Sequence, residues 1–212
     1  MSDSEIGARL NTLLVEAGLE PMSSRKAKHF GAYISLFIRW NRKVNLSSVR
    51  DEEGMISSHI IESIYVALKL PMGIHTVLDL GSGGGLPGIP IALCRPEIEV
   101  TLAESRGKKA AFLMEAIRVL GIGTKVHADR AERLGGVFDC VTLRAVDKMV
   151  VAVEVAVRLV KPDGWLALMT TEAGLDRLKE IAGSEFSWRE ALRLRRSESK
   201  VLALGRRLNC PP

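Results

Sequence analysis

Cysteine is scarce in this chain. There are three, Cys94, Cys140 and Cys210, an odd number without paired spacing. That excludes a disulfide framework or a zinc ribbon and fits a reducing compartment. The four histidines, His29, His59, His75 and His127, show no His-x-x-x-His spacing, so no metal centre is expected. No apolar run approaches the roughly 20 residues of a bilayer span, so no membrane association is expected. The first residues are polar and acidic, unlike a signal peptide, and a cytoplasmic location is the expectation. Aromatic residues make up only 5% of the chain, so the core must be aliphatic. No internal repeat or low-complexity segment is visible.

What is present is ample for a globular protein. A hydrophobic fraction of 47% over 212 residues supplies one domain, or one domain with a small extension. The net charge of +5 favours a polyanionic partner, although many soluble proteins share such a balance.

The chain opens with helical periodicity. Ile6, Leu10, Leu13, Leu14 and Ala17 share one face of a helix over 4–17, with Gly18 placed to end it. Ser24 is placed to cap a second helix to about Trp40, with Phe30, Tyr33, Ile34, Phe37 and Ile38 as its stripe. Asp51 is placed to cap a third, to about Leu68, with Met55, Ile56, Ile60, Ile64 and Ala67 inward. Residues 1–73 thus read as a helical cap packed on a main domain over 74–212.

The main domain alternates strands and helices. Strands are expected at 76–80, 99–103, 125–128, 138–143 and 165–170, and helices at 89–95, 108–120, 150–159 and 175–181. Lys161-Pro162-Asp163-Gly164 reads as a turn before the fifth strand. Runs at 188–194 and 201–206 read as a closing hairpin. The alternation means an α/β fold with a mostly parallel sheet covered on both faces.

One stretch organises the rest: Thr76-Val77-Leu78-Asp79-Leu80-Gly81-Ser82-Gly83-Gly84-Gly85-Leu86-Pro87-Gly88. A strand, a glycine turn and a helix start form a cradle for an adenosine-bearing cofactor. Asp79 disfavours a pyrophosphate and suits a cation, or it fixes the turn by hydrogen bonding. Glu104 ends the next strand, nineteen positions after Gly85, close to the spacing of an acid that binds a ribose diol. A solvated acid at a strand end is the plainer alternative.

With Asp79 to Gly88 and Glu104, the chain resembles the class I S-adenosylmethionine-dependent methyltransferases, which have a Rossmann-like sheet with an antiparallel C-terminal edge. Ser105-Arg106-Gly107-Lys108-Lys109, Arg130-Ala131-Glu132, Arg144-Ala145-Val146 and Trp40-Asn41-Arg42-Lys43-Val44-Asn45-Leu46 make the match more specific. Together they resemble the ribosomal small-subunit methyltransferase G family, which methylates a guanine N7 in 16S ribosomal RNA. The specific motifs span about 33–164. The resemblance implies S-adenosylmethionine as cofactor, held by Asp79, Gly81, Ser82, Gly83 and Leu86, by Glu104, by Ala131 and Glu132 beside the base, and by Arg144. Glu132 also reads as a plain helix-start acid. A cation beside a sulfonium is unfavourable, so Arg144 is expected to pair with a carboxylate or the RNA.

The implied partner is 16S ribosomal RNA or the small ribosomal subunit. Arg39, Arg42 and Lys43 form one basic cluster, and Arg106, Lys108 and Lys109 another, both suited to phosphates. Asn41 and Asn45 carry amides that can bond base edges or cap turns. Arg193, Arg195, Arg196 and Lys200 form a third basic group. Rival readings are a small-molecule or protein methyltransferase, a nicotinamide oxidoreductase, disfavoured by Asp79 and the lack of a Tyr-x-x-x-Lys pair, and a non-catalytic RNA-binding assembly factor.

The residues also bear on the atom methylated. Pyrimidine C5 chemistry generally needs a cysteine nucleophile, and none of the three is well placed. Exocyclic amines usually go with an Asn/Asp-Pro-Pro-aromatic turn, whereas this turn reads Arg144-Ala145-Val146-Asp147. A ribose hydroxyl needs a lysine-centred base, and Lys148 has no evident partner set. Guanine N7 has a lone pair and no proton to remove, so it needs no base.

Overall fold

The computed structural model describes residues 1–49, 51–146 and 148–209. Cys210 and Asp147, which entered the sequence argument, lie outside the described residues.

The chain begins with α1 (Asp3–Glu16), opened by a capping box between Ser2 and Glu5. Its stripe of Ile6, Leu10, Leu13 and Leu14 is buried against α2 (Ser24–Asn41). The α2 cap is Ser23, not Ser24: its hydroxyl accepts from the Lys26 N–H. Two adjacent serines offer the same chemistry, and the bond reaches the third residue from whichever stands in extended backbone.

The third helical segment is not uniform. It comprises α3 (Glu52–Met55), a π-helical turn over Ile56–Ile60, and α4 (Ile61–Lys69). Asp51 caps it as expected, accepting from Gly54 N–H at 2.7 Å. The wider π turn resets the helix register, and such turns recur at functional sites.

The sheet is built from β1 (Thr76–Leu80), β2 (Glu99–Ala103), β3 (Lys125–His127), β4 (Phe138–Arg144), β5 (Val160–Thr171), β6 (Phe186–Trp188), β7 (Leu192–Arg193) and β8 (Lys200–Arg207). The strand order is β3-β2-β1-β4-β5-β8-β6, with β7 also on β8. Pairing is parallel from β3 to β5 and antiparallel on β8. Between the strands lie α5 (Gly88–Cys94), α6 (Gly107–Leu120), α7 (Met149–Leu159) and α8 (Glu172–Ala182).

Two expectations are corrected here. The run over 188–194 is not one continuous strand; it breaks into β6 and β7, both antiparallel to β8, and only β7 forms the hairpin arm. The segment over 161–164 lies within β5, not before it. Val160 already pairs with Phe138, the register then slips, and Trp165 pairs with Cys140. Asp163, at φ 59°, turns the chain out of the ladder and back.

Side-chain alternation sends each strand to two cores. Val77, Val100, Leu102, Cys140 and Leu202 join α1, α2, α4, α5 and α6 on one face. Leu78, Leu80, Val141, Leu143, Leu166 and Leu168 join α7 and α8 on the other. The N-terminal helices thus share a core with the sheet. At the amino edge Asp139 binds β4 to β1, accepting from the N–H groups of His75 and Thr76 at 2.9 and 2.8 Å. Burial raises its pKa, but Lys161 and these N–H groups outweigh burial and hold it down to about 2.

Candidate active site

The strand order reverses about β1, so a crevice opens outside the carboxyl ends of β1, β2 and β4. Helix α2 brings the N-terminal region to that edge. Near its start, α2 lies against α5, where Lys26 donates to the Cys94 carbonyl at 3.2 Å. Its middle passes over the glycine turn, where the Tyr33 hydroxyl donates to the Gly84 carbonyl. Phe37 packs edge-on between Tyr33 and Phe112, with ring centroids 6.2 and 5.8 Å away. A Cβ on Gly84 would lie 2.3 Å from Phe37, so only glycine admits this approach.

The resulting cavity has a volume of about 770 Å³. Its walls include Gly81, Ser82, Gly83, Leu86, Glu104, Ala131, Glu132 and Arg144, all assigned to the cofactor from sequence, and Arg106 and Lys109 from the basic group. Glu104 is held in place. Its Oε2 accepts from Gly83 N–H at 3.0 Å and its Oε1 from Arg106 N–H at 2.7 Å. A carboxylate has about four acceptor positions, so lone pairs remain for two ribose hydroxyls. Gly83, at φ +56°, has only the Gly81 carbonyl and the Lys109 ammonium within 4 Å of a built Cβ. The open turn, the carboxylate on the next strand and the cavity size suit an adenosine cofactor.

Asp79 does not reach this cavity. It is 1% exposed beneath the turn. Its Oδ2 accepts from Gly88 N–H at the start of α5, at 3.1 Å, and its Oδ1 from the Thr142 hydroxyl at 2.9 Å. Burial pushes its pKa up to about 6 against the pull of these donors. In this structure it fixes the turn, the other role its sequence position allowed.

The basic residues divide. Arg39, Arg42 and Lys43 are exposed at the end of α2, and Lys108 is exposed on the first turn of α6, outside the cavity walls. Trp40 packs on Phe112 with centroids 5.8 Å apart, which sets the two helices side by side. Asn45 is exposed on the loop after α2. Asn41 is buried instead: its amide donates to the Val49 carbonyl at 2.6 Å and accepts from the N–H groups of Leu46 and Ser47 at 2.8 and 3.0 Å. It organises the loop over 41–49 and does not face a surface. Arg193 and Arg196 pair with Glu172 and Glu16, and the Arg195 guanidinium lies over Tyr65, 5.2 Å from its ring centroid.

Arg144 finds the carboxylate partner that its setting required. Its Nη2 lies 3.2 Å from Oε2 of Glu62, which is 1% exposed, and Lys200 reaches the other oxygen at 2.8 Å. The same Nη2 lies 2.7 Å from His59 Nδ1. Burial and then the Arg144 charge lower the His59 pKa to about 4. Across the ring, Nε2 lies 2.7 Å from the Ser47 hydroxyl. Ser47 and His59 line the cavity, and neither was singled out from sequence. The signal for His59 was slight: a histidine three positions before Glu62 in the third helical segment.

A profile of rRNA small subunit methyltransferase G matches residues 26–195. A protein of that name from Xanthomonas euvesicatoria is 38% identical over 195 residues, spanning 89% of this chain and 88% of its own. Among solved structures, a putative O-methyltransferase from Klebsiella pneumoniae superposes with a TM-score of 0.60 at 14% identity, over 97% of this chain and 99% of the other. P. horikoshii TYW2, solved with MeSAdo, gives 0.59 at 17% identity, over 72% and 64% of the two chains. These structural matches bear on the fold: a class I methyltransferase sheet.

Proposed function

This chain belongs to the rRNA small subunit methyltransferase G family, and from that membership we propose that it methylates N7 of one guanine in 16S ribosomal RNA. It is an S-adenosylmethionine-dependent rRNA methyltransferase. The observation that carries the proposal is the single cavity lined by the glycine turn, the Glu104 carboxylate and the Arg144 end of β4.

In this reading Gly81, Ser82, Gly83 and Leu86 bind the cofactor along the turn. Glu104 takes the ribose, Ala131 and Glu132 flank the base, and Asp79 supports the turn from below. When bound, S-adenosylmethionine supplies an electrophilic methyl group on a sulfonium. Arg144 borders that position with its charge partly compensated by Glu62, and His59 beside it stays neutral. The residues need only orient N7, since its lone pair attacks without loss of a proton. Arg39, Arg42, Lys43, Lys108 and Lys109 form the phosphate-binding rim, together with Arg106 and Asn45. Residues 1–73 act as a helical cap on the catalytic domain over 74–212, and the enzyme works in the cytoplasm. No helix among the described residues is long and apolar enough to cross a membrane.

The test is in vitro. The purified chain is incubated with tritiated S-adenosylmethionine and either naked 16S RNA or small subunits from cells lacking the enzyme. Label recovered as 7-methylguanosine after nuclease digestion is the expected result. Label in any other nucleoside overturns the assignment of atom, and label in no RNA overturns the substrate.

A further inference from the structure

Two contacts compete at Nδ1 of His59: the Arg144 guanidinium, which can only donate, and the Ser58 carbonyl, which can only accept, each at 2.7 Å. The bond from the guanidinium is charge-assisted and the stronger of the two, which favours Nδ1 as its acceptor. The same cation also donates to the Ser58 carbonyl at 3.4 Å, so that acceptor keeps a partner. In that tautomer the hydrogen of the neutral imidazole sits on Nε2 and is donated to the Ser47 hydroxyl oxygen at 2.7 Å. The N–H of Val49 donates to the same oxygen at 3.1 Å. Both lone pairs of Ser47 are then used, and its one hydrogen has to be given elsewhere. Ser47 stands on the cavity wall, and its own N–H is held by the buried amide of Asn41. The protein thus presents a hydroxyl that is a donor and not an acceptor, on a loop already fixed.

We propose that Ser47 is a specificity residue of this site: it donates to O6 of the target guanine, with His59 and Arg144 as the positioning residues that fix it as a donor. The inference rests on the guanine-N7 reading. Guanine and adenine share the N7 acceptor, but at position 6 guanine offers an acceptor and adenine an amino donor. A fixed donor in this place welcomes the first and meets the second donor to donor. Accepting from adenine would require breaking the bond from His59 or from Val49, which leaves a donor unsatisfied. The contact leaves N7 free for methyl transfer.

The discriminating substrate is 16S RNA, joined by splinted ligation, with 2,6-diaminopurine in place of the methylated guanine. This base keeps N7 and the 2-amino group, exchanges O6 for an amine and loses the hydrogen on N1, so the Ser47 variants serve to isolate the contact at position 6. The unchanged enzyme should prefer guanine by at least about a hundredfold in kcat/KM, since sites built around a hydrogen bond reject analogues that cannot make it. Ser47→Ala should lower the guanine rate at least about tenfold and leave the diaminopurine rate nearly unchanged, so that the preference falls by the same factor. Ser47→Thr and His59→Gln should retain the preference, because glutamine can accept from Arg144 and donate to Ser47. His59→Leu should lose it. Calorimetric binding of S-adenosylmethionine confirms that each variant is folded. A Ser47→Ala enzyme with the full guanine preference overturns the inference while the methyltransferase reading stands. If the unchanged enzyme transfers no methyl to guanine N7, both fall together.

Discussion

Replacing His59 with glutamine should make the protein gain stability, relative to the unchanged chain, as the pH falls from 6.5 to 4. His59 is partly buried beside Arg144, and its folded pKa is lowered from 6.5 to about 4. The unfolded chain takes up the proton first. The stability it contributes is therefore present above pH 6.5 and is lost as the pH falls through 4. At 1.36 kcal/mol per pH unit, the loss is about 3 kcal/mol. Asp79 acts in the opposite sense. Burial raises its pKa from 3.8 to about 6. Its contribution is full below 3.8 and is lost as the pH rises through 6, again about 3 kcal/mol. The two nearly cancel between pH 4 and 6. His59→Gln removes one side and preserves the bonds to Arg144 and Ser47. Urea unfolding at half-unit steps from pH 4 to 7.5 measures the difference, since all other titrating groups are common to both curves. The variant curve should rise on the unchanged one by about 3 kcal/mol across the window. Parallel curves would mean that burial and the Arg144 charge do not lower the His59 pKa, and the reasoning would fail.

Other consequences concern the turn and the rim. Glu104→Ala removes charge-assisted bonds to a ribose, each worth about 1.5–3 kcal/mol, so calorimetric affinity for S-adenosylmethionine should fall at least about tenfold; equal affinity would make Glu104 a turn residue only. Gly84→Ala puts a methyl 2.3 Å from Phe37, which is 1% exposed and cannot move aside. It should cost about 1–3 kcal/mol and lower Tm by several degrees in a thermal scan. Arg42→Gln with Lys43→Gln should flatten the dependence of log Kd for RNA on log salt by about two phosphate contacts and leave cofactor affinity alone.

The chain announced its architecture where local chemistry decides it. The spans of β1 and β2 follow from short apolar runs bounded by turn residues, and the two-sided sheet from the alternation of strands with helices along the chain. Local signals failed where pairing is decided at a distance. Neighbouring serines could not say which one caps α2. Asp163 forms a turn that β4 nevertheless bridges on both sides. The site was legible to the same depth. The glycine turn and Glu104 lie close together in the chain and were visible there. Asp79 looked like a ligand because its depth below Gly88 and Thr142 is a tertiary fact. Ser47 and His59 were not visible, because nothing local predicts a π turn at 56–60 or a contact between residues 59 and 144.

The central claim is that this protein places one methyl group on a guanine N7 of small-subunit RNA. Mass spectrometry of nuclease-digested 16S RNA tests it most directly, using cells deleted for the protein, the same cells complemented, and cells complemented with Glu104→Ala. The account expects one 7-methylguanosine to disappear on deletion, to return on complementation, and to return only in part with the variant. Retention of every 7-methylguanosine in the deleted cells would contradict it.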